Sequence, residues 1–551
     1  MLPSGSKEIQ NVGKNKSGYY LRERPPLAPQ ATACKSPVKK TGCSCKGSCC
    51  SRICGCVKKS NKCGPPCKCD SNICQNQVEA LESQMREMPS LMFDTEAKKS
   101  EKEIELNDTK NISIHILNDD CLRHVFLFLP IIDRIRIEIV CKRWRDLSQD
   151  SWYMIKTLDV SRHVEDTWGF TNISSLNLAL LRKILLKCGR FLTRLILSFG
   201  IVSNSHDQST LIIVIGELCP NLTSIDIHYG VFKSSDIRTL ANYYRNLTKF
   251  SLRWSVVECD DELKCLFERN QNLEYLKITR NYFLLDKCLL GLPEQTMRTI
   301  ILENCDYLQD THLSMALKKL ENLKHLAIIK CPRISKHTLE VVGQHCKSLR
   351  TLELDGHFPF TQTADMLYLI HLVNLQVLKI ACNPKVSNDF LTDLVQHCQQ
   401  LTNVDITVIL LYPTACYNVS DVGLTAIATL VRLEKLKVSY LHQITDDGLK
   451  NVCGLKELEC RRCRLFSDRG MTTLIQSSPE LQLLDLSGCR NIKDPTLEVA
   501  KDVCSSRTNN VMLKMIVGGT AILTKKKIGQ ERLPPLLKIY DIDLSSPGGL
   551  L

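Results

Sequence analysis

A dense group of cysteines near the N-terminus is the part of this chain best suited to chemistry. Nine of the 29 cysteines in the 551-residue chain form three triplets, each beginning with Cys-x-Cys: Cys43, Cys45, Cys49, Cys54, Cys56, Cys63, Cys67, Cys69 and Cys74. Thiolates are soft metal ligands, and one zinc ion takes four of them. Nine thiolates can hold three zinc ions if three of the thiolates each bridge two metals. An iron–sulfur cluster is the alternative, although it would use four thiolates and leave five to explain.

These residues resemble the CXC cysteine-rich motif of tesmin-type chromatin proteins, and more closely the cysteine-rich tail of chromokinesins. The resemblance implies a segment over residues 34–76 whose fold depends on bound metal, and it implies contact with DNA. Two departures put DNA binding in doubt: the motif occurs once rather than in a pair, and Ile53 stands where the tesmin type has a tyrosine. The basic residues that are left could contact phosphates without reading bases: Lys46, Arg52, Lys58, Lys59, Lys62 and Lys68. A structural metal knot for a protein contact is the competing interpretation.

Residues 118–152 have the apolar spacing of short amphipathic helices. The i, i+3, i+4, i+7 pattern occurs twice, at Leu122, Val125, Phe126 and Leu129 and again at Ile137, Val140, Cys141 and Trp144. We expect Asp119 or Asp120 to cap the first helix and Pro130 to end it. About 40 residues with this much apolar surface need a partner or a following domain to cover it.

This pattern resembles an F-box, with Leu129-Pro130 closing the first helix and Val140 to Trp144 forming the second signature. One departure is Leu117-Asn118, where the family usually has Leu-Pro. The resemblance implies docking of a Skp-type adaptor, which links to a cullin scaffold. The residues that the resemblance assigns to adaptor binding are Leu117, Leu122, Phe126, Leu129, Pro130, Ile137, Val140, Cys141 and Trp144.

A repeat of the form LxxLxL, loop, capped helix fills most of the remaining chain. Its first apolar position occurs twelve times from Leu192 to Leu481, and successive occurrences are most often 26 residues apart. This period is typical of leucine-rich repeats, in which neighbouring units bury each other's apolar side chains. Ser, Thr or Asp stands where each helix should begin. Cysteines recur at an equivalent position of several repeats, as in Cys305, Cys331, Cys463 and Cys489. We interpret them as small buried thiols rather than metal ligands. The unit resembles the cysteine-containing class of leucine-rich repeats, which often follows an F-box.

The strand positions that should face outward carry both signs of charge, which favours a protein-binding surface over a nucleic-acid surface. The candidate substrate-binding residues are Tyr275, Lys277, His325, Glu353, Lys379, Asp405, Lys437, Glu459 and Asp485. For any single one of them, a merely solvated position is an equally good interpretation.

Composition and charge complete the domain prediction. Residues 1–75 hold 14 Lys or Arg and 3 Asp or Glu, so they carry +11 of the formal net charge of +13. The sequence shows no run of 18 apolar residues and no secretory signal, so we expect no membrane span and a location in the nucleus, the cytoplasm or both. The predicted divisions are a disordered segment 1–33, the cysteine motif 34–76, a linker 77–111, the F-box 112–156, the repeats 157–517, and a cap and tail 518–551.

The predicted fold class is α/β: a right-handed leucine-rich-repeat solenoid preceded by a small all-α F-box and a metal-stabilised cysteine knot. The predicted function is substrate recognition in a Skp–cullin–F-box ubiquitin ligase, without catalysis by this chain. Phosphate-loop, HExxH, nucleophile-elbow and dinucleotide motifs are absent from the sequence. Two alternatives are a chromatin- or DNA-associated adaptor and a ligase receptor gated by metal or redox state.

Overall fold

The computed structural model describes residues 114–160, 178–199, 205–257, 260–356, 362–408, 418–522 and 533–545. The chain divides into two compact units, Met1–Lys110 and Asn111–Leu551, and every described residue belongs to the second. The cysteine motif, the N-terminal segment and the linker therefore lie outside the described residues. The predicted metal knot stays a prediction.

Three helices open the described chain: α1 (Asp119–Leu127), α2 (Ile131–Ile137) and α3 (Lys142–Trp152). The prediction that Asp119 or Asp120 caps α1 is wrong. The cap is Asn118, whose side-chain oxygen accepts a hydrogen bond from the Cys121 amide at 2.8 Å. Both aspartates instead lie in the first turn, where negative charge is favourable near the positive end of the helix dipole.

The later helices alternate with strands along the chain. They are α4 (Leu178–Cys188), α5 (Ser205–Leu218), α6 (Ser234–Tyr243), α7 (Asp260–Arg269), α8 (Thr311–Leu317), α9 (Lys336–His345), α10 (Asn388–His397), α11 (Asp421–Ile427), α12 (Asp446–Leu449), α13 (Asp468–Ser477) and α14 (Asp494–Ser506). Short 3₁₀ helices cover Ile114–Ile116, Gly189–Phe191, Lys287–Gly291 and Thr363–His371.

Fifteen of the described strands form one sheet. They are β1 (Thr157–Val160), β2 (Arg194–Ser198), β3 (Ser224–His228), β5 (Lys249–Arg253), β7 (Tyr275–Thr279), β8 (Thr299–Glu303), β9 (His325–Ile329), β10 (Thr351–Glu353), β11 (Val377–Lys379), β12 (Asn403–Asp405), β13 (Lys435–Lys437), β14 (Glu457–Glu459), β15 (Leu483–Asp485), β16 (Leu513–Ile516) and β17 (Leu537–Tyr540). Two short strands, β4 (Val231–Phe232) and β6 (Val256–Val257), pair separately.

The large sheet is a solenoid, because its strands are parallel and follow one another in chain order. Alternate strand residues turn inward, so Leu352 is buried while its neighbours Thr351 and Glu353 are partly exposed. The inward leucines meet the apolar faces of the helices in one continuous core. Each unit is too small to bury these side chains alone, and stacking with its neighbours removes them from water.

The segment predicted as a cap and tail contributes a strand of its own. Leu537–Tyr540 pairs with Leu513–Ile516, so the sheet continues beyond residue 517. Among the described residues, no helix has the length and apolar character needed to cross a membrane.

Hydroxyl groups cap several of the helices, as their positions in the sequence predict. Ser335, Thr445 and Ser467 each accept a hydrogen bond from an amide in the first turn of their own helix. These bonds satisfy donors that a helix N-terminus otherwise leaves free.

Acidic residues at the same helix starts join one repeat to the next, a role the sequence did not suggest. The Asp421 carboxylate accepts from the Thr445 amide at 2.7 Å and from its hydroxyl at 2.6 Å. Asp446 makes the same two contacts with Ser467, at 2.8 and 2.5 Å. Each carboxylate thus fixes the register of the following helix with charge-assisted hydrogen bonds.

The cysteines of the repeats are buried, which confirms their interpretation as packing residues. Cys305, Cys331, Cys463 and Cys489 are fully buried. The Cys463 thiol donates to the carbonyl of Val438 at 3.1 Å, one repeat earlier. The described part of the chain contains no group of three or more His, Cys, Asp or Glu arranged to hold a metal ion.

Candidate protein-binding surfaces

Three residues assigned to adaptor binding lie inside the helical unit rather than on its surface. Leu122, Phe126 and Ile137 form its core together with Leu147, and all four are buried. The assignment of the first three as direct contacts is therefore corrected: they support the surface but cannot touch a partner. The amphipathic spacing that selected them marks a buried face, and the sequence could not tell whether the helices cover that face themselves.

Leu129 and Trp144 are partly buried and pack against this core, and Pro130 and Cys141 are also partly buried. The Trp144 ring packs on Phe126 with 5.2 Å between ring centroids. Leu129 and Trp144 therefore contribute to the core, and all four residues keep part of their surface exposed.

Large apolar side chains are nevertheless exposed at both ends of α2. Phe128 precedes the helix and is 76% exposed, whereas Ile139 and Val140 follow it and are 81% and 57% exposed. Leu117, at the start of the unit, is 36% exposed. Val140 and Leu117 were expected on this surface, whereas Phe128 and Ile139 were missed. Phe128 directly follows α1 and Ile139 lies two residues after the end of α2, and these positions near the helix ends were the available signal.

A buried arginine holds the three helices together. The Arg134 guanidinium donates to the carbonyls of Leu127 at 2.5 Å, Leu129 at 3.0 Å and Ser151 at 3.0 Å. Burial lowers the pKa of Arg134. The three carbonyls belong to the end of α1, the turn after it and α3, so one cation satisfies acceptors from both neighbouring segments.

The helical unit is also fixed to the first repeats. The Trp152 indole donates to Glu138 Oε1 at 2.9 Å, and Lys187 Nζ of α4 lies 2.6 Å from Glu138 Oε2. Trp152 and two isoleucines of α2, Ile131 and Ile132, belong to the core of the solenoid. The exposed apolar side chains around α2 are therefore held at a set position relative to the sheet.

A row of charged residues on the sheet was the predicted substrate surface. Its members occupy the third position of consecutive strands and lie in register: Glu353, Lys379, Asp405, Lys437, Glu459 and Asp485. We refer to these six residues as the charged row. Together with Tyr275, Lys277 and His325, they lie on the sheet side opposite the buried leucines.

The charged row largely neutralises itself. Lys379 Nζ lies 3.1 Å from Glu353, and Lys437 Nζ lies 2.7 Å from Glu459. Asp485 is fully buried and pairs with Arg461 at 2.6 Å, so the prediction that it contacts a substrate is wrong. The alternating strand pattern predicts the side of the sheet on which these residues lie, but it could not show that charges on adjacent strands would pair.

Two carboxyl groups on this side have shifted pKa values in opposite directions. The hydrogen bond from His325 and the nearby Lys379 lower the pKa of Glu353. Burial raises the pKa of Asp355 to about 6, and the negative charge of Asp405 adds to this effect. Asp355 also accepts a hydrogen bond from the Ala381 amide at 2.9 Å.

A hollow of about 300 Å³ lies on the same side of the sheet near its N-terminal end, lined by Tyr275, Asp226 and Arg253 among others. Burial tends to raise the pKa of Asp226, but the hydrogen bond from His228 and the charge of Arg253 outweigh it and lower the pKa. Arg253 lies 2.8 Å from the carboxylate, so the hollow carries an internal ion pair.

An aromatic stack follows the ends of three strands and was missed in the sequence. Tyr229 and Trp254 stack with 6.0 Å between ring centroids, and the Arg280 guanidinium lies 3.8 Å from the centroid of the Trp254 ring. All three residues have positive φ angles of 53° to 57°, which place their side chains at equivalent turns. They are spaced like the repeat itself, and this spacing was the signal that could have found them.

Comparison with known proteins identifies the helical unit. The model of the F-box domain family matches residues 114–156. The chain carries an F-box. Part of it is also similar to F-box/LRR-repeat protein 12 of Bos taurus, at 27% identity over 249 residues, which cover 43% of this chain and 70% of that protein. The chain thus combines an F-box with a leucine-rich-repeat solenoid.

Other similarities cover different shares of the chain. Putative RNA-binding protein EEED8.10 of Caenorhabditis elegans is 24% identical over 408 residues, 73% of this chain, and the match spans only about half of that relative (54%). Human chromosome-associated kinesin KIF4B is 45% identical over 42 residues, which are 8% of this chain and 3% of the kinesin. Among solved structures, the yeast Rad7 and Elc1 complex matches with a TM-score of 0.44 at 15% identity, covering 72% of this chain and 98% of that chain.

Proposed function

We propose that this chain is the substrate-recognition subunit of a ubiquitin ligase of the Skp–cullin–F-box type. The F-box would dock a Skp-type adaptor and so reach the cullin, and the solenoid would hold the protein substrate. The observation that carries the proposal is the group of exposed apolar side chains at Phe128, Ile139 and Val140 on a unit whose own core is complete. Large apolar side chains that stay exposed beside a complete core are candidates for an interaction surface.

The contribution of such a receptor is proximity rather than chemistry. A substrate lysine must be held near the ubiquitin-charged enzyme, and a rigid receptor keeps the two in a fixed geometry. The ion pair of Glu138 with Lys187 and the packing of Trp152 in the solenoid core support this, because they limit rotation of the F-box against the first repeats.

The test is binding of a purified Skp-type adaptor to the full chain by calorimetry. The triple variant Phe128→Ala/Ile139→Ala/Val140→Ala should weaken binding by at least tenfold, since three apolar side chains would leave the interface. The matched control is Leu186→Ala/Val422→Ala/Val431→Ala, which truncates equally exposed apolar residues of the solenoid. The proposed docking surface would be refuted if both variants bound the adaptor as tightly as the parent, or if both lost binding equally.

We also propose that the nine cysteines of the three triplets between Cys43 and Cys74 bind zinc, three ions in all, with an iron–sulfur cluster as the alternative. The donor set supports metal binding because it consists of thiolates in a segment without an apolar core. Elemental analysis of the purified chain decides between the two: zinc near three per chain, or iron with acid-labile sulfide.

A second candidate function is a chromatin- or DNA-associated adaptor, favoured by the +11 charge of residues 1–75. Its signature would be DNA binding that weakens steeply with salt and disappears when residues 34–76 are deleted. Metal-gated substrate capture is a further form of the ligase proposal, and it requires capture to change when a chelator removes the metal. We expect a tagged chain in the nucleus, the cytoplasm or both, which microscopy would determine.

A further inference from the structure

Three arginines converge on a hollow at the C-terminal end of the solenoid. The hollow has a volume of about 220 Å³ and is lined by Arg462, Arg464 and Arg490, with Gly488, Asp543 and Ser545 as further walls. Arg462 and Arg464 follow β14, and Arg490 follows β15, so adjacent repeats supply the cations. We refer to these three residues as the arginine cluster.

The chain after β17 forms one wall and is fixed in place. Tyr440 donates its hydroxyl proton to the Ser545 carbonyl at 2.7 Å, and Arg462 Nε donates to Ser545 Oγ at 3.2 Å. Gly488 has φ +74°, and a Cβ atom there would lie 2.5 Å from Ser545 Oγ. The turn therefore needs glycine both for its backbone conformation and for this close approach.

The arginine cluster is not neutralised within the described part of the chain. No described carboxylate lies within 4.0 Å of any of its three guanidinium groups, whereas the preceding residue, Arg461, pairs with both Glu459 and Asp485. The wall residue Asp543 turns its carboxylate to Ser545, accepting from the amide at 2.8 Å and from the hydroxyl at 2.5 Å. Three cations and one anion leave a formal charge of +2 around the hollow.

The titration of a neighbouring histidine agrees with this excess of positive charge. Burial lowers the pKa of His442, and the charges of Arg464 and Arg462 lower it further. A proton on His442 is therefore disfavoured by the same field that would attract an anion.

We propose that the arginine cluster binds the phosphoryl group of a phosphoserine or phosphothreonine in a captured protein. The assignment of a captured protein as the source rests on the proposed function. Guanidinium groups suit this ligand because each presents parallel N–H donors to two phosphate oxygens. A water molecule's share of liquid volume is about 30 Å³, so the hollow has room for a phosphoryl group, which has four non-hydrogen atoms.

The surroundings favour a single phosphorylated side chain over a nucleic acid. A nucleic-acid strand needs a continuous basic track along its phosphates. The strand that precedes Arg462 and Arg464 instead carries the partly exposed carboxylates of Glu457 and Glu459. The positive region is therefore local, as a single phosphoryl group requires.

The test measures binding of a fluorescent peptide library with a central phosphoserine between randomised positions, beside the same library with serine. The full chain should bind the phosphorylated library at least tenfold more tightly, a difference of about 1.4 kcal/mol. Arg464→Ala/Arg490→Ala should abolish the preference, and Arg464→Lys/Arg490→Lys should retain part of it. The control Arg182→Ala/Arg245→Ala removes two other exposed arginines, and neither lies within 4.0 Å of a described carboxylate.

Equal binding of the two libraries would overturn the proposal, and so would equal loss in the control, which would indicate non-specific charge. Loss of single-stranded DNA binding in the Arg464→Ala/Arg490→Ala variant, without any phosphopeptide preference in the parent, would also overturn it and would assign the cluster to nucleic acid. Adaptor affinity is measured on the same proteins. A chain that binds the adaptor but shows no phosphopeptide preference refutes only this inference, whereas one that prefers phosphopeptide but binds no adaptor refutes only the ligase function.

Discussion

Gly448 allows a sharp test of how adjacent repeats lock together. It lies in the short helix α12, where alanine would ordinarily be the better helix former by up to about 1 kcal/mol. In the folded chain, however, a Cβ atom at this position would lie 2.7 Å from Asp421 Oδ1 and 2.9 Å from Leu424 Cδ2. We therefore expect Gly448→Ala to lower the free energy of unfolding, opposite to the helix-propensity effect.

The magnitude follows from what Asp421 would lose by moving. Its carboxylate accepts from the Thr445 amide and hydroxyl at 2.7 and 2.6 Å, so it cannot retreat from the new methyl group without lengthening both bonds. Overpacking typically costs about 1–3 kcal/mol, and a hydrogen bond to a charged group contributes about 1.5–3 kcal/mol. After the propensity gain is subtracted, we expect a net loss of about 1–2 kcal/mol.

A double-mutant cycle separates the clash from other effects of alanine. Urea unfolding, followed by circular dichroism, is measured for the parent, Gly448→Ala, Asp421→Ala and the double variant. In the Asp421→Ala background the obstructing carboxylate is gone and only the contact with Leu424 remains, so the loss of stability caused by Gly448→Ala should become clearly smaller. Additive effects of the two substitutions, or a Gly448→Ala chain at least as stable as the parent, would refute the reasoning.

Three further predictions follow from burial and titration. Trp152→Ala should lower the free energy of unfolding by about 3–5 kcal/mol, measured by urea unfolding. It should leave adaptor affinity, measured by calorimetry, within a few-fold of the parent. The reason is that Trp152 belongs to the solenoid core rather than to the F-box core. The raised pKa of Asp355, about 6, means that the folded chain holds this proton more tightly than the unfolded chain, so stability falls as pH rises from about 4 to about 6. Asp355→Asn should therefore be more stable than the parent by about 1–3 kcal/mol above pH 6, with the difference vanishing near pH 4, as measured by urea unfolding at both pH values. Iodoacetamide should label the exposed Cys453 in the native chain but not the buried Cys460. A hydrogen bond with Cys489 and burial both raise the pKa of Cys460, so little of its reactive thiolate form is present. Peptide mapping by mass spectrometry would detect the difference.

Each of these predictions has a result that contradicts it. Loss of adaptor binding in Trp152→Ala would mean that the F-box depends on the solenoid for its own fold. A stability difference between Asp355→Asn and the parent that does not change with pH would show that the carboxyl does not titrate in this range. Labelling of Cys460 at the rate of Cys453 would show that the repeat opens locally.

The sequence by itself determined the repeated architecture and the helical entry unit. A leucine pattern with a period near 26 residues and hydroxyl residues at helix starts depends only on local spacing, so it could be recognised without coordinates. The F-box signature at Leu129-Pro130 and Trp144 was likewise local, and the family match at residues 114–156 confirms an F-box there. The buried thiols could also be predicted, because their phase relative to the strands placed them in the turns.

Only the tertiary structure decided which residues face a partner and which face each other. Leu122, Phe126 and Ile137 share the pattern expected of a docking surface, but the packing of three helices buries them and leaves Phe128 and Ile139 outside. Asp485 alternates like an exposed strand residue, yet its pairing with Arg461 of the preceding repeat encloses it. The arginine cluster brings together residues of two repeats and a wall more than 50 residues further along the chain. Such contacts depend on how the strands stack and on where the C-terminal segment packs, and neither can be read from the spacing of residues in the sequence.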